Sequence, residues 1–266
     1  MPPTSRSFSR SITRFPVRPF SYVREMAQRP GSELTILQCL PLSVYASGGG
    51  DVHKTGASRL ATHCEMALAG LAARRLIADD EPAPAIAALV EAGGIDLVLM
   101  PTHGDGLIRQ VLNGSVTANV LHNSGCAVWT AVHEQLVPIV AEPRYRSVVC
   151  AIAGRAAEDE HVARTVAKFA AGRGARLTLL SVVEEPNEGN IANAQDNIER
   201  CKAAWKLDAG MRIAIGSVPK ALHDAALREE ADLLVVGRGH FRERLGALRS
   251  HLYDVIRNAP CPVLSV

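Results

Sequence analysis

Short apolar runs recur along the chain, each ending in a glycine-bearing or polar break before a stretch of helical periodicity begins. The second half shows this most clearly. Residues 148–152 read as a strand, followed by a helix over 157–172 with Val162, Val166, Phe169 and Ala170 on one face. A second strand at 177–183 leads into a polar helix over 187–206, and 212–215 follows as the third strand. Behind Gly216 and Ser217 comes a helix over 218–229, then a fourth strand at 233–236, a helix over 248–258 and a closing strand at 263–266. These strands are apolar on both faces, which requires a parallel sheet covered by helices on both sides. Right-handed crossovers then make it a doubly wound α/β sandwich.

The first half repeats the pattern. Gly31-Ser-Glu-Leu-Thr-Ile-Leu is echoed by Gly174-Ala-Arg-Leu-Thr-Leu-Leu, Asp96-Leu-Val-Leu-Met by Asp232-Leu-Leu-Val-Val, and Cys126-Ala-Val by Cys261-Pro-Val. Self-similarity over about half a chain means a duplicated domain. Strands are predicted at 34–40, 75–78, 97–101 and 127–131, with helices over 54–76, 84–92 and 115–123. The first strand of this half reads as degraded. Residues 12–17 are the candidate, but Arg14 and Pro16 oppose a central strand. Prolines and charges over 132–146 mark the boundary, giving an atypical segment at 1–20 and domains at 21–135 and 145–266.

Composition narrows the function. With 47% apolar and only 21% charged residues, the 266-residue chain can bury sizeable cores. A net charge of +2 argues against a nucleic-acid partner, and the absence of any apolar run near 18 residues argues against a membrane span. Six cysteines without a C-x-x-C pair, most inside apolar runs, read as reduced core thiols in a cytoplasmic protein. Residues 1–24 are rich in Arg and Ser, with no acid before Glu25. That composition fits a disordered tail or a degraded strand better than a transit peptide, since Pro16 and Pro19 would break an amphipathic helix.

The segment 96–131 carries the chemistry. An apolar run ends in a loop that closes on Gly114-Ser115-Val116-Thr117, where a helix begins. A helix N-terminus presents free N–H groups and a positive dipole end to phosphate. Thr102-His103-Gly104, Gly106-Leu107, Arg109, Leu112 and Gly114-Ser115-Val116-Thr117 together resemble the signature loop of the universal stress protein family, G-x2-G-x9-G-[ST]. The duplicated layout resembles the tandem-domain members of that family. This resemblance implies two five-stranded parallel Rossmann-like sheets ordered 3-2-1-4-5. It also implies last strands that pair the domains into an intramolecular pseudo-dimer or pair two chains into a homodimer. It implies a stress-response protein without a strong enzymatic role, showing at most weak ATP hydrolysis, that holds ATP with Mg across the switch point. An aspartate after the first strand would then contact adenine.

On that pattern the first-domain cradle comprises Pro101, Thr102, Gly104, Arg109, Gly114, Ser115, Val116 and Thr117. Pro101 replaces the first glycine and removes one backbone donor. Ala153 stands at the aspartate position in the second half, with Arg18 its expected counterpart in the first. In the second loop, His240 and Arg249 replace two of the glycines, so this domain is expected to have a degenerate site. The alternative is a nucleotide-free interaction or scaffold protein of the same fold. A remoter one is an ATP-dependent adenylating enzyme using Ser47-Gly48-Gly49-Gly50-Asp51. That glycine run follows the second strand instead of the first, and short glycine motifs recur by chance. Thr62-His63-Cys64-Glu65 lacks a second ligand pair for zinc. His103 has no nucleophile set around it, and the basic run Arg238–His251 reads first as solvated loop.

Overall fold

The computed structural model describes residues 8–11, 19–39, 68–102, 115–132, 145–170, 173–238 and 248–266. They belong to two compact units, the first running to Trp129 and the second comprising Thr130–Gln135 and Arg144–Val266.

In the first unit the order of elements is β1 (Phe8–Ser11), α1 (Pro19–Ala27), β2 (Leu34–Cys39), β3 (Ala73–Ala78), α2 (Pro82–Glu91), β4 (Leu97–Thr102), α3 (Ser115–Asn123) and β5 (Ala127–Val132). The strands lie in the order β3-β2-β1-β4-β5. β1 runs parallel to β2 on one side and to β4 on the other. β2 is buried at all six positions, as a central strand covered on both faces must be. Helix α1 buries Tyr22, Val23 and Met26, and the Tyr22 ring lies 5.0 Å from that of Trp129.

The second unit contains β6 (Ser147–Ala151), α4 (Ala156–Ala170), β7 (Arg176–Val183), α5 (Glu188–Trp205), β8 (Ala209–Ile215), α6 (Val218–Arg228), β9 (Leu233–Val236), α7 (Leu248–Asn258) and β10 (Val263–Ser265). Its order is β8-β7-β6-β9-β10, so each unit reads 3-2-1-4-5 in its own numbering. Every recorded pairing within a unit is parallel. The edge strands β3 and β8 have exposed positions, including Ile77 and Ile215, whereas β6 and β9 are almost wholly buried. Helix α5 begins with the Asn187 side chain accepting the N–H of Asn190 at 2.8 Å. It stops at Lys206, which takes the left-handed conformation.

Two sequence expectations require correction. The helix anticipated over 54–76 does not reach residue 76. A turn at 68–70, with Gly70 at φ 81, precedes β3, whose six residues pair with β2 from Ala73 onward. The alanines and arginines of 72–75 favour a helix by propensity, but the ladder with a buried neighbour overrides it. The first strand, expected at 12–17, is the other. It lies at Phe8–Ser11, paired on both sides, while 12–18 fall outside the described residues.

A polar network closes the amino ends of the second unit's strands. Asp232 Oδ2 accepts the N–H groups of Arg146 at 2.7 Å and Ser147 at 3.0 Å, fixing the entry of β6 beside β9. Ser147 Oγ and Arg176 Nη2 both donate to the Glu229 carbonyl at 2.7 Å, at the end of α6. The Glu229 carboxylate in turn accepts from Arg212 Nε and, at 3.5 Å, from Thr178 Oγ1. Replacing Asp232 with Ala strands two backbone donors, and hydrogen bonds to a charged group contribute about 1.5–3 kcal/mol. Chemical denaturation of Asp232→Ala is expected to show a loss of at least that size, with an unchanged dependence on denaturant.

Candidate functional site

In an open α/β sheet, ligands bind outside the carboxyl ends of the strands where the strand order reverses. That point lies between β1 and β4 in the first unit and between β6 and β9 in the second. In the first unit β4 ends at Thr102, so Pro101 and Thr102 are the last residues of the strand. Ser115 is the first residue of α3, followed by half-buried Val116 and buried Thr117. Gly104, Arg109 and Gly114 fall outside the described residues, as do His103, Ser47–Asp51 and the Thr62–Glu65 group.

The register also revises the aspartate position. Phe8 pairs with Leu34 as Val148 pairs with Leu177, and Phe8 with Leu97 as Val148 with Leu233. Counting onward, the residue matching Ala153 is Thr13, not Arg18; both lie outside the described residues.

The second unit's switch point is fully described up to Arg238, and acids from the first turn of α4 fill it. Val162, Ala163 and Val166 form the buried stripe of this helix, and Asp159 stands on the same stripe one turn earlier, 1% exposed. Its Oδ1 accepts the N–H of Ala153 at 2.8 Å, while Oδ2 is buried without a hydrogen-bond partner among the described residues. Burial raises the Asp159 carboxyl above the ordinary carboxylate value; the N–H groups of Ala153, Gly154 and Arg155 pull it down, and the neighbouring Glu158 charge pushes it further up.

Glu158 lies across the chain that leaves β9. A Cβ built on Gly237 would fall 2.8 Å from Glu158 Cγ and closer still to Oε1, so the carboxylate occupies the space directly over this glycine's backbone. Glu158 Oε2 is 3.5 Å from Arg155 Nη1. Beside them His161 is held below its usual value, first by burial and then by the cations Arg164, Arg238 and Lys168. Sequence reasoning missed both acids. The available signal was a pair of carboxylates in a helix's first turn, where the dipole favours them.

Among the described residues the five cysteines form no bonded pair. Burial raises the Cys150 thiol well above its usual value and pushes Cys261 up to about 12, which leaves both thiols protonated and inert. Among the described residues no group of three His, Cys, Asp or Glu side chains is arranged to hold a metal, and no helix is long and apolar enough to cross a membrane.

Comparison with known proteins fits this geometry. The family model described as "Universal stress protein family" matches residues 18–131 and again 144–266. A universal stress protein from Archaeoglobus fulgidus DSM 4304 is 19% identical with a TM-score of 0.70, the match covering 97% of this chain and 95% of that one. A functionally unknown protein from Pseudomonas aeruginosa PAO1 gives 16% identity and a TM-score of 0.71 over 98% and 92% of the two chains. The cytoplasmic domain of a prokaryotic cation chloride cotransporter also shares the fold, at 10% identity and a TM-score of 0.61 over 98% and 95%. No curated protein matches.

Two predictions test the second switch point. Gly154 has φ 80, and an added Cβ would lie 2.8 Å from Asn197 Nδ2. Gly154→Ala is therefore expected to lower stability by about 1–3 kcal/mol in chemical denaturation. Asp159→Asn keeps an acceptor for Ala153 and removes a buried charge. Because the folded-state value is raised, the charged carboxylate costs stability at neutral pH. That cost is relieved as pH falls through the folded value towards the ordinary one. The variant should melt above the parent at pH 7, and the gap should close as pH approaches 4.

Proposed function

Because the chain belongs to the universal stress protein family, we propose that it is a cytoplasmic stress-response protein that binds one ATP, with Mg, in its first domain and none in its second. The second domain is taken as 145–266, and the first, expected at 21–135, is extended back to Phe8 because β1 belongs to its sheet. The protein acts by binding, with at most weak hydrolysis of the bound nucleotide.

The observation that carries this reading is the contrast between the two switch points. In the second, the Glu158 carboxylate covers Gly237 at the start of the phosphate loop, and Asp159 takes the Ala153 amide at the position expected to contact adenine. In the first, Thr102 ends the strand and Ser115 opens the helix on either side of the loop that contains Gly104, Arg109 and Gly114. The proposed roles follow from chemistry. N–H groups at Ser115, Val116 and Thr117 cap the phosphates, Gly104 and Gly114 allow close backbone approach, and Arg109 adds a cation. Thr102 supplies a hydroxyl. Pro101 contributes shape and no N–H.

Calorimetric titration with a non-hydrolysable ATP analogue and Mg is expected to give one site per chain. Gly114→Arg should abolish the heat, and Glu158→Ala should leave the stoichiometry at one. No heat at millimolar analogue overturns the proposal. Together with a denatured supernatant free of nucleotide by mass spectrometry, that result favours a nucleotide-free interaction protein.

A further inference from the structure

At the opposite, amino-terminal end of the first unit's strands lies an open crevice of about 700 Å³ between β2, β3 and the end of α2. At the corresponding place the second unit holds the Glu229 network, and the repeat shows how the two corners differ. The last turns of α2 and α6 match bond for bond. Ala92 N donates to the Ala88 carbonyl as Glu229 N donates to that of Ala225, and each is followed by a left-handed residue, Gly93 or Glu230. Ala92 therefore stands where Glu229 stands.

The strand registers supply the other matches. Leu34 pairs with Ala73 as Leu177 pairs with Ala209. Glu33 then matches Arg176, Thr35 matches Thr178, and Leu76 matches Arg212. All four first-unit counterparts, Glu33, Thr35, Leu76 and Ala92, line the crevice. Of the network in this corner of the second unit, the first keeps Thr35 for Thr178, Asp96 for Asp232 and, by register, Ser7 for Ser147 (outside the described residues), and it lacks counterparts of both guanidiniums and of the Glu229 carboxylate.

What was removed defines what fits. In the second unit a guanidinium, Arg176, bonds the carbonyl at the end of α6. In the first unit the corresponding helix end has no basic residue in its last turn, and an acid replaces that guanidinium. A helix C-terminus carries partial negative charge, and exposed Glu33 adds a full one. Half-buried Leu76 and Leu89 offer apolar wall below it, and exposed Arg74 stands on the β3 side. We infer that this crevice is a binding site for a small organic cation, a guanidinium or primary amine on a short alkyl chain. Its charged end takes the place of Arg176 beside Glu33 and the Ala92 carbonyl, and its chain lies on Leu76 and Leu89.

The inference is independent of nucleotide binding, since no residue of the crevice belongs to the proposed cradle. Calorimetric titration of the full chain with butylguanidine, against its neutral isostere butylurea, tests it. The guanidine is expected to bind at millimolar concentration or below, the urea about tenfold more weakly or not at all. Glu33→Gln should weaken the guanidine about tenfold. Glu33→Arg rebuilds the second unit's bond to the helix end, so it should abolish binding and raise the melting temperature. Gly114→Arg should leave guanidine binding intact. Absence of guanidine binding, equal affinity for the urea, or a Glu33→Arg variant that still binds would each overturn the assignment.

Discussion

A parallel strand buried on both faces has no polar side to offer, so chemistry in this fold is confined to the two ends of the sheet. That constraint governs both units. β2, β6 and β9 are buried along almost their whole length and make ordinary ladders, with Thr35, Gln38 and Ser147 their polar members. The polar clusters of the described residues lie near where strands begin or end. Asp159, Glu158 and His161 gather at the carboxyl end of the second unit, and Glu229, Arg176, Arg212 and Asp232 at its amino end.

Duplication turns this constraint into a comparison that a single domain would not allow. The two copies agree in strand order and register, so residues can be matched by hydrogen bonds even where the sequences have diverged. At the carboxyl end the second copy has filled its crevice with its own acids. At the amino end the first copy has lost its plug. The two copies differ in opposite senses at the two ends, while strand order and register between them are shared. This is expected when packing restricts the interior and leaves the ends free to vary.

Much of the fold was legible because long, strongly periodic segments dominate it. α7 and β9 match their sequence-based limits, and α3 begins at the residue where the glycine-serine pair predicted a helix start. β1 was not legible. Its four residues include Ser9, Arg10 and Ser11, and tertiary pairing to two apolar neighbours makes it a strand where its own pattern does not. The helix expected up to residue 76 failed for the same reason, since pairing with β2 outweighed local propensity. Of the candidate site, the strand end at Pro101 and Thr102 and the helix start at Ser115 could be read in advance. Asp159 could not, because an acid in a first helical turn reads as a solvated dipole partner, and only packing shows that it points inward. The crevice at Glu33 was equally hidden, because it arises from substitutions at three positions far apart in sequence, Glu33, Leu76 and Ala92, that meet only through register.

Magnitudes decide how the second switch point treats an anion. A helix N-terminus offers an anion typically 0.3–1 kcal/mol, and about 2 kcal/mol in a favourable buried setting. One unit negative charge about 4 Å from another, at the effective dielectric near a protein surface, costs about 4 kcal/mol. Glu158 lies against the Gly237 backbone and Asp159 already uses the Ala153 amide, so an incoming phosphate would meet the repulsion without the full set of donors. Repulsion exceeds the dipole's attraction even for a singly charged group, and salt screens so short and partly buried an interaction only weakly. The acids of α4 therefore serve that helix's own N-terminus and place negative charge against the Gly237 backbone. Their carboxylates are tethered to the fold and need no translational entropy of binding to stay there.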